Sequence, residues 1–303
     1  MARFEFRNHP YTPNGIKNEP ILITRDKLAY FTYPDFDIAH SDLNTLLVST
    51  PNLFAAYFEL PAGTQYGPPD YHPNDEIYIV LEGEFTQVSP YSGQAVTVKA
   101  GEALIMPKGC VHCGFNFTQK TAKMFSCSPG IVEDQTFPVD QDGKWNMYKR
   151  GTLEEFPEPR PMFRNTKMPT KYDLGKWPAD FQELRKETPY LYKVSEEDKL
   201  LIVRGLEFPI LMKISVSNEA IQVGEYIVPA GGIQCRMSEP DSHEGEECIF
   251  VVSGEMGIFM TETRETFKVL PGEAIYIPAH QSYSMINYGN EPIYATFVIT
   301  PSF

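Results

Sequence analysis

One internal repeat limits the folds open to this chain more than any other feature. Asp70, His72, Glu76, Gly83, Gly101, Pro107 and Asn116 return as Asp241, His243, Glu247, Gly254, Gly272, Pro278 and Asn287, each 171 residues further on. Gly101-Glu102-Ala103 reappears unchanged as Gly272-Glu273-Ala274, and Pro61-Ala62-Gly63 as Pro229-Ala230-Gly231. Chance does not hold one offset across so many positions, so the chain carries two copies of one domain. A length of 303 residues accommodates two such cores.

Within each copy the pattern is that of strands. Leu53 to Leu60, Glu76 to Glu82, Ala95 to Val98, Ala103 to Met106 and Lys123 to Ser126 are rich in β-branched and aromatic residues. Turns such as Pro61-Ala62-Gly63, Glu82-Gly83-Glu84 and Ser92-Gly93 separate them. Short strands at regular spacing between Gly and Pro turns predict an all-β sandwich or barrel. Residues 1 to about 50 form a turn-rich lead-in with short strands such as Pro20–Thr24. Between Ile131 and Pro189 seven prolines, from Pro138 to Pro189, interrupt the pattern, and Ala179–Glu187 is the one short helix expected there. The expected division is a first barrel with its lead-in over 1–132, a Pro-rich linker over 133–190 and a second barrel over 191–303.

A formal charge of −14 argues against nucleic acid and anionic membranes as partners, since both require clustered Lys and Arg. No apolar run approaches the roughly 20 residues of a spanning helix. Met1–Asn8 has no apolar signal-like region, and the five cysteines show no disulfide-framework spacing, so cytoplasmic residence is expected. The Cys110-Val111-His112-Cys113 stretch lacks a second pair that would close a zinc site, and both thiols are read as small apolar filler.

The chemistry concentrates in Asp70-Tyr71-His72-Pro73-Asn74-Asp75-Glu76. His72 and Glu76 stand four residues apart and, on an extended strand, share a face. A second strand, a Pro-x-Gly turn and then His112 bring another imidazole. Two imidazoles and a carboxylate form the donor set of a facial triad, suited to a divalent first-row metal with open positions. Strand alternation turns Tyr78 and Val80 toward the same face, and the parity beyond His112 turns Asn116 inward. Tyr78 is a candidate to hydrogen-bond substrate, with a core role as the alternative, and Arg236 is a candidate partner for a substrate carboxylate, with simple surface exposure as the alternative.

These stretches resemble the two short motifs of the cupin superfamily, once in each half. The first motif is present as Asp70-x-His72-x3-Glu76-x6-Gly83, with aspartate where cupins usually carry a histidine. The second is complete as Gly101, Pro107, Gly109, His112 and Asn116. The resemblance implies a bicupin: two tandem jelly-roll β-barrels, each with a metal or ligand site inside. It implies His72, Glu76 and His112 as metal ligands, with Asp70 either a fourth ligand or a group that orients an imidazole. Such oxygen- and nitrogen-rich donors favour Fe(II), with Mn, Ni or Zn as other ions they accept. In the second half Asp241, His243 and Glu247 persist, Tyr283 stands in place of the histidine, and His280 replaces the turn glycine. A second metal site and a metal-free barrel both remain open there.

The leading functional expectation is a metal-dependent oxidoreductase, a dioxygenase acting on a small enolisable or phenolic substrate, with Asp70, Glu76 and Tyr78 as catalytic candidates. Alternatives are a redox-neutral isomerase, lyase or hydrolase, and a non-catalytic bicupin that binds a small molecule. Exposed strand edges make a homodimer the default assembly.

Overall fold

The computed structural model describes residues 19–31, 43–70, 72, 74–89, 94–110, 112–130, 190–204, 209–232 and 240–301. Among them are strands, turns and short 3-10 segments, with no α-helix. No helix of the described residues is long and apolar enough to cross a membrane. The strands up to the linker are β1 (Ile21–Ile23), β2 (Ala29–Phe31), β3 (Leu43–Ser49), β4 (Leu53–Leu60), β5 (Gln65–Asp70) and β6 (Glu76–Glu82). They continue as β7 (Glu84–Ser89), β8 (Gln94–Lys99), β9 (Ala103–Met106), β10 (His112–Phe115) and β11 (Ala122–Pro129). After it come β12 (Tyr192–Val194), β13 (Leu200–Arg204), β14 (Ile210–Ser217), β15 (Gln222–Val228) and β16 (Glu246–Ser253). The last five are β17 (Met256–Met260), β18 (Thr266–Val269), β19 (Ala274–Ile277), β20 (Tyr283–Asn287) and β21 (Ile293–Thr300).

Two jelly-roll units result. The N-terminal unit has a seven-stranded sheet in the order β12-β9-β6-β11-β4-β3-β2 and a four-stranded sheet β5-β10-β7-β8. The C-terminal unit has a seven-stranded sheet β1-β19-β16-β21-β15-β14-β13 and a three-stranded sheet β18-β17-β20. The repeat in the sequence is a repeat in register. Glu76 pairs with Met106 and Ile79 with Ala103, just as Glu247 pairs with Ile277 and Phe250 with Ala274. His112 lies opposite Asp70, as Tyr283 lies opposite Asp241.

The Gly-Glu-Ala element has one structural role in both units. Gly101 and Gly272 take left-handed backbone (φ 86° and 80°), which a Cβ would strain. The buried Glu102 and Glu273 then accept the turn N–H groups of Lys99 and Leu270, each at 3.0 Å. Glu102 also meets Lys193 of β12 at 3.0 Å.

The division 1–132 and 191–303 differs from the pairing at both first strands. β1 joins β19 (Ile21 opposite Tyr276), and β12 joins β9 (Tyr192 opposite Ile105). The strand that precedes each barrel in sequence thus completes the sheet of the other unit. The repeat reaches these strands too, since Ile21 and Tyr192 are again 171 residues apart. Three-residue strands carry too little pattern to specify a partner. What places them is the open edge of β9 or β19, whose backbone donors and acceptors need satisfying. Residues 131–189, including the expected helix Ala179–Glu187, lie outside the described residues.

Candidate metal centre

The N-terminal site is built where β6 begins and β10 begins. Glu76 opens β6, facing into the barrel with 5% exposure. His72 is not on that strand; it sits in the connection between β5 and β6. Its position is fixed by its carbonyl, which accepts the Gly109 N–H at 2.9 Å from the Pro-x-Gly turn. Asp75 braces the same turn by accepting the Lys108 N–H at 2.8 Å. The turn then delivers His112 at the start of β10.

His72, Glu76 and His112 are all buried, and their ligating atoms lie within 4.8 Å of one another. His72 Nε2 is 2.9 Å and His112 Nε2 3.3 Å from Glu76 Oε2. His112 Nδ1 is 2.8 Å from the Cys110 carbonyl, which only accepts, so Nδ1 carries a proton and Nε2 is the nitrogen the neutral ring has left for ligation. Ser126 of β11 donates to Glu76 Oε1 at 3.0 Å and thereby fixes the carboxylate plane. Glu76 Oε2 is buried with these two ring nitrogens as its polar neighbours and no hydroxyl or N–H of another residue on it. Burial opposes the charge on Glu76, but the His72 and His112 imidazoles outweigh it and hold its carboxyl well below the ordinary value. Three buried ligand atoms within 4.8 Å of one another, one of them anionic, make a donor set that a divalent cation can occupy.

Around this cluster stand aromatic side chains. Tyr78 is buried in the barrel core, edge-on to Phe58 with centroids 5.0 Å apart and to Tyr66 at 6.3 Å. Burial and the Glu76 charge push its phenol well above its usual value, so it is a neutral donor. Tyr66 donates to Gln87, and its ring covers Gly114, where a Cβ would collide with it. Cys110 and Cys113 are buried thiols without a disulfide; burial pushes Cys110 up to about 12. Asn116 is buried, but its work is local. It donates to the carbonyls of Leu60 and Lys120 and accepts from Thr118, as Asn287 donates to Val228, Pro229 and Glu291.

The corresponding cluster in the C-terminal unit is arranged differently. Tyr283 donates to Glu247 Oε2 at 2.5 Å, and Tyr226 of β15 donates to Glu247 Oε1 at 3.0 Å. His243 Nε2 lies 3.1 Å from the Tyr283 hydroxyl and 3.7 Å from Glu247. Asp241 Oδ1 is held by Arg204 of β13 at 2.6 Å. Burial raises the Glu247 carboxyl, with His243 and the Tyr283 hydroxyl opposing. His280 keeps the turn that Gly109 makes, with φ 64° and its N–H on the His243 carbonyl at 2.8 Å, while its side chain is exposed.

The cupin domain family matches this chain twice, over residues 56–128 and 225–299, one match in each of the two barrels. The chain is a bicupin of the cupin superfamily. Solved structures share this two-barrel fold along most of the bicupin. AerE from Microcystis aeruginosa is 12% identical with a TM-score of 0.57, covering 92% of this chain and 98% of its own. YlbA from E. coli is 13% identical with a TM-score of 0.58, covering 93% and 91%. Oxalate decarboxylase from Bacillus subtilis is 16% identical with a TM-score of 0.58, covering 95% and 78%. At these identities the likeness is one of fold. No curated protein sequence matches significantly.

Of the residues singled out by sequence, the bicupin brings His72, Glu76 and His112 together and sets Asp70 opposite His112 by register. Asp241, His243, Glu247 and Tyr283 also meet, though as a hydrogen-bonded network. Among the described residues, only the N-terminal three gather as a His/Cys/Asp/Glu group able to hold an ion. Arg236 lies outside the described residues, and Arg204 is the guanidinium that reaches the second cluster. Ser126, Tyr226 and Arg204 carry no motif; each lies far along the chain from the carboxylate it contacts.

Proposed function

We propose that this bicupin is a metal-dependent enzyme whose N-terminal barrel holds one divalent first-row cation through His72, Glu76 and His112. The observation that carries this reading is geometric: the buried ligand atoms of His72, Glu76 and His112 lie within 4.8 Å of one another, with His72 Nε2 2.9 Å and His112 Nε2 3.3 Å from Glu76 Oε2. The donor set suits Fe(II) foremost, with Mn, Ni and Zn as alternatives. Such a cation supplies Lewis acidity toward a substrate oxygen and, as Fe(II), one-electron chemistry with dioxygen.

The protein's own groups divide the remaining work. The Cys110 carbonyl keeps His112 in the tautomer that offers Nε2, and Ser126 keeps Glu76 Oε2 inward. Glu76, held ionised by its surroundings, is a poor proton acceptor, which leaves Asp70 as the proposed base. The Tyr66, Tyr78 and Phe58 rings exclude water and favour a flat, weakly polar substrate. A small enolisable or phenolic molecule fits that description, and the reaction proposed is dioxygenation. The second reading is redox-neutral lyase or isomerase chemistry. It is favoured by the two-barrel oxalate decarboxylase of Bacillus subtilis, which has Mn(II) centres.

The test offers diketones, catechols and small keto acids to Fe(II)- and Mn(II)-loaded protein, with and without oxygen. Oxygen uptake matched to substrate loss, and absent in His112→Ala, supports the dioxygenase. Turnover without oxygen supports the lyase or isomerase. Protein that takes up no stoichiometric metal and turns over nothing refutes both and leaves a binding barrel.

A further inference from the structure

We infer that the C-terminal barrel of this bicupin is closed to metal, its would-be ligand atoms taken up by the Arg204 guanidinium on Asp241 and by a chain of shared protons through Tyr283. The two sites differ atom by atom. Glu76 Oε2 faces the two imidazole nitrogens, whereas both oxygens of Glu247 are held by phenol hydroxyls, of Tyr283 and Tyr226. The single hydroxyl proton of Tyr283 goes to Glu247, so its oxygen lone pair faces His243. His243 Nε2 must therefore carry a hydrogen, and the nitrogen that a cation would need is already a donor. Asp241, the remaining motif oxygen donor, is engaged by Arg204.

The positive charge such a cluster needs is thus covalently attached. Two carboxylates, Asp241 and Glu247, lie in the barrel beside a guanidinium that never loses its proton under ordinary conditions. Arg204 is raised further still by Asp241, Tyr226 and Tyr283, against the opposing effect of burial, which places it electrostatically within the cluster. An entering divalent ion would have to remove a proton from His243, break the Tyr283 contact and displace Arg204.

The substitutions form a set rather than a single lost ligand. Phe297 occupies the repeat position of Ser126, so the hydroxyl that fixes Glu76 is missing. Phe297 stacks instead on Tyr226, with centroids 4.1 Å apart and planes at 18°. Tyr226 lies three residues before Pro229, as Phe58 lies three before Pro61, and its added hydroxyl takes over the bond to Glu247 Oε1. Both oxygens of the second carboxylate are consequently served by phenols, and replacing Tyr283 alone leaves the Arg204 charge in place.

Metal per chain decides the matter, measured on purified full-length protein equilibrated with Mn(II) and desalted. We expect about one ion in wild type, about none in His112→Ala, about one in Tyr283→His and about two in Arg204→Gln/Tyr283→His. Adding His112→Ala to that double variant should leave about one ion, and Mn(II) should raise its melting temperature but not that of His112→Ala alone. Wild type with two ions, His112→Ala that retains one, or a cooperatively melting double variant with no additional ion each overturns the inference. The His112→Ala measurement stands even if the double variant does not fold. If wild type holds none while the double variant gains one, the N-terminal assignment fails and this inference survives.

Discussion

Replacing Ser126 by alanine tests whether the N-terminal cluster is a built metal site or a chance meeting of side chains. Ser126 donates to Glu76 Oε1 at 3.0 Å, and both side chains are buried. A hydrogen bond to an ionised group is worth about 1.5–3 kcal/mol. Part of that is recovered when a bound cation takes over the carboxylate's charge, and what remains is the loss of orientation. Partners of this kind typically contribute about 10–100-fold in metal affinity, or about 1.4–2.8 kcal/mol. Ser126→Ala should therefore weaken Mn(II) or Zn(II) binding by about that factor, measured by competition with a fluorescent chelator. Ser126→Thr keeps the hydroxyl and should stay nearer to wild type. The reasoning is refuted if Ser126→Ala, still folded, binds metal within about twofold of wild type.

Three further outcomes follow from the same geometry. The His72 and His112 imidazoles lower the Glu76 carboxyl, so its contribution to metal-free stability is complete above the usual 4.5 and is lost as the pH falls toward the folded value. Below pH 4.5, melts of wild type should lose stability more steeply than those of Glu76→Gln; parallel curves contradict the assignment. Gly109 has φ 74° and His280 φ 64°. Gly109→Ala should then cost about 1–2 kcal/mol in urea unfolding, whereas His280→Gly should be neutral or gain up to about 1 kcal/mol. Asn116→Ala removes the bonds to Leu60, Lys120 and Thr118 and should cost about 2–4 kcal/mol while leaving metal per folded chain unchanged.

The fold was legible in the sequence wherever local pattern decides structure. Leu53–Leu60, Glu76–Glu82 and Ala103–Met106 are strands with the bounds that their β-branched runs suggest, and the offset of 171 residues is preserved in the pairing of Glu76 and Glu247. His72 meets Glu76 as the four-residue spacing suggests, although it sits in the connection before the strand, which is held from outside by the Gly109 N–H. The exchange of β1 and β12 was not legible, since three residues cannot announce which sheet edge will receive them. In the site, residues on motif spacing could be named in advance. Ser126 and Tyr226 could not, because they reach their carboxylates from strands 50 and 21 residues away. Arg204 is illegible for the same reason: it closes β13, 37 residues before Asp241, whereas Arg236 is the arginine adjacent to the motif in sequence.

The central claim is that one barrel is built for a divalent ion. Anomalous diffraction from crystals grown with Mn(II), collected on either side of the metal edge, tests it most directly. The account predicts one strong peak per chain, with His72, His112 Nε2 and a Glu76 oxygen each about 2.0–2.3 Å from it. A chain without a peak between these three residues, or with its only peak beside Asp241 and Glu247, would contradict it.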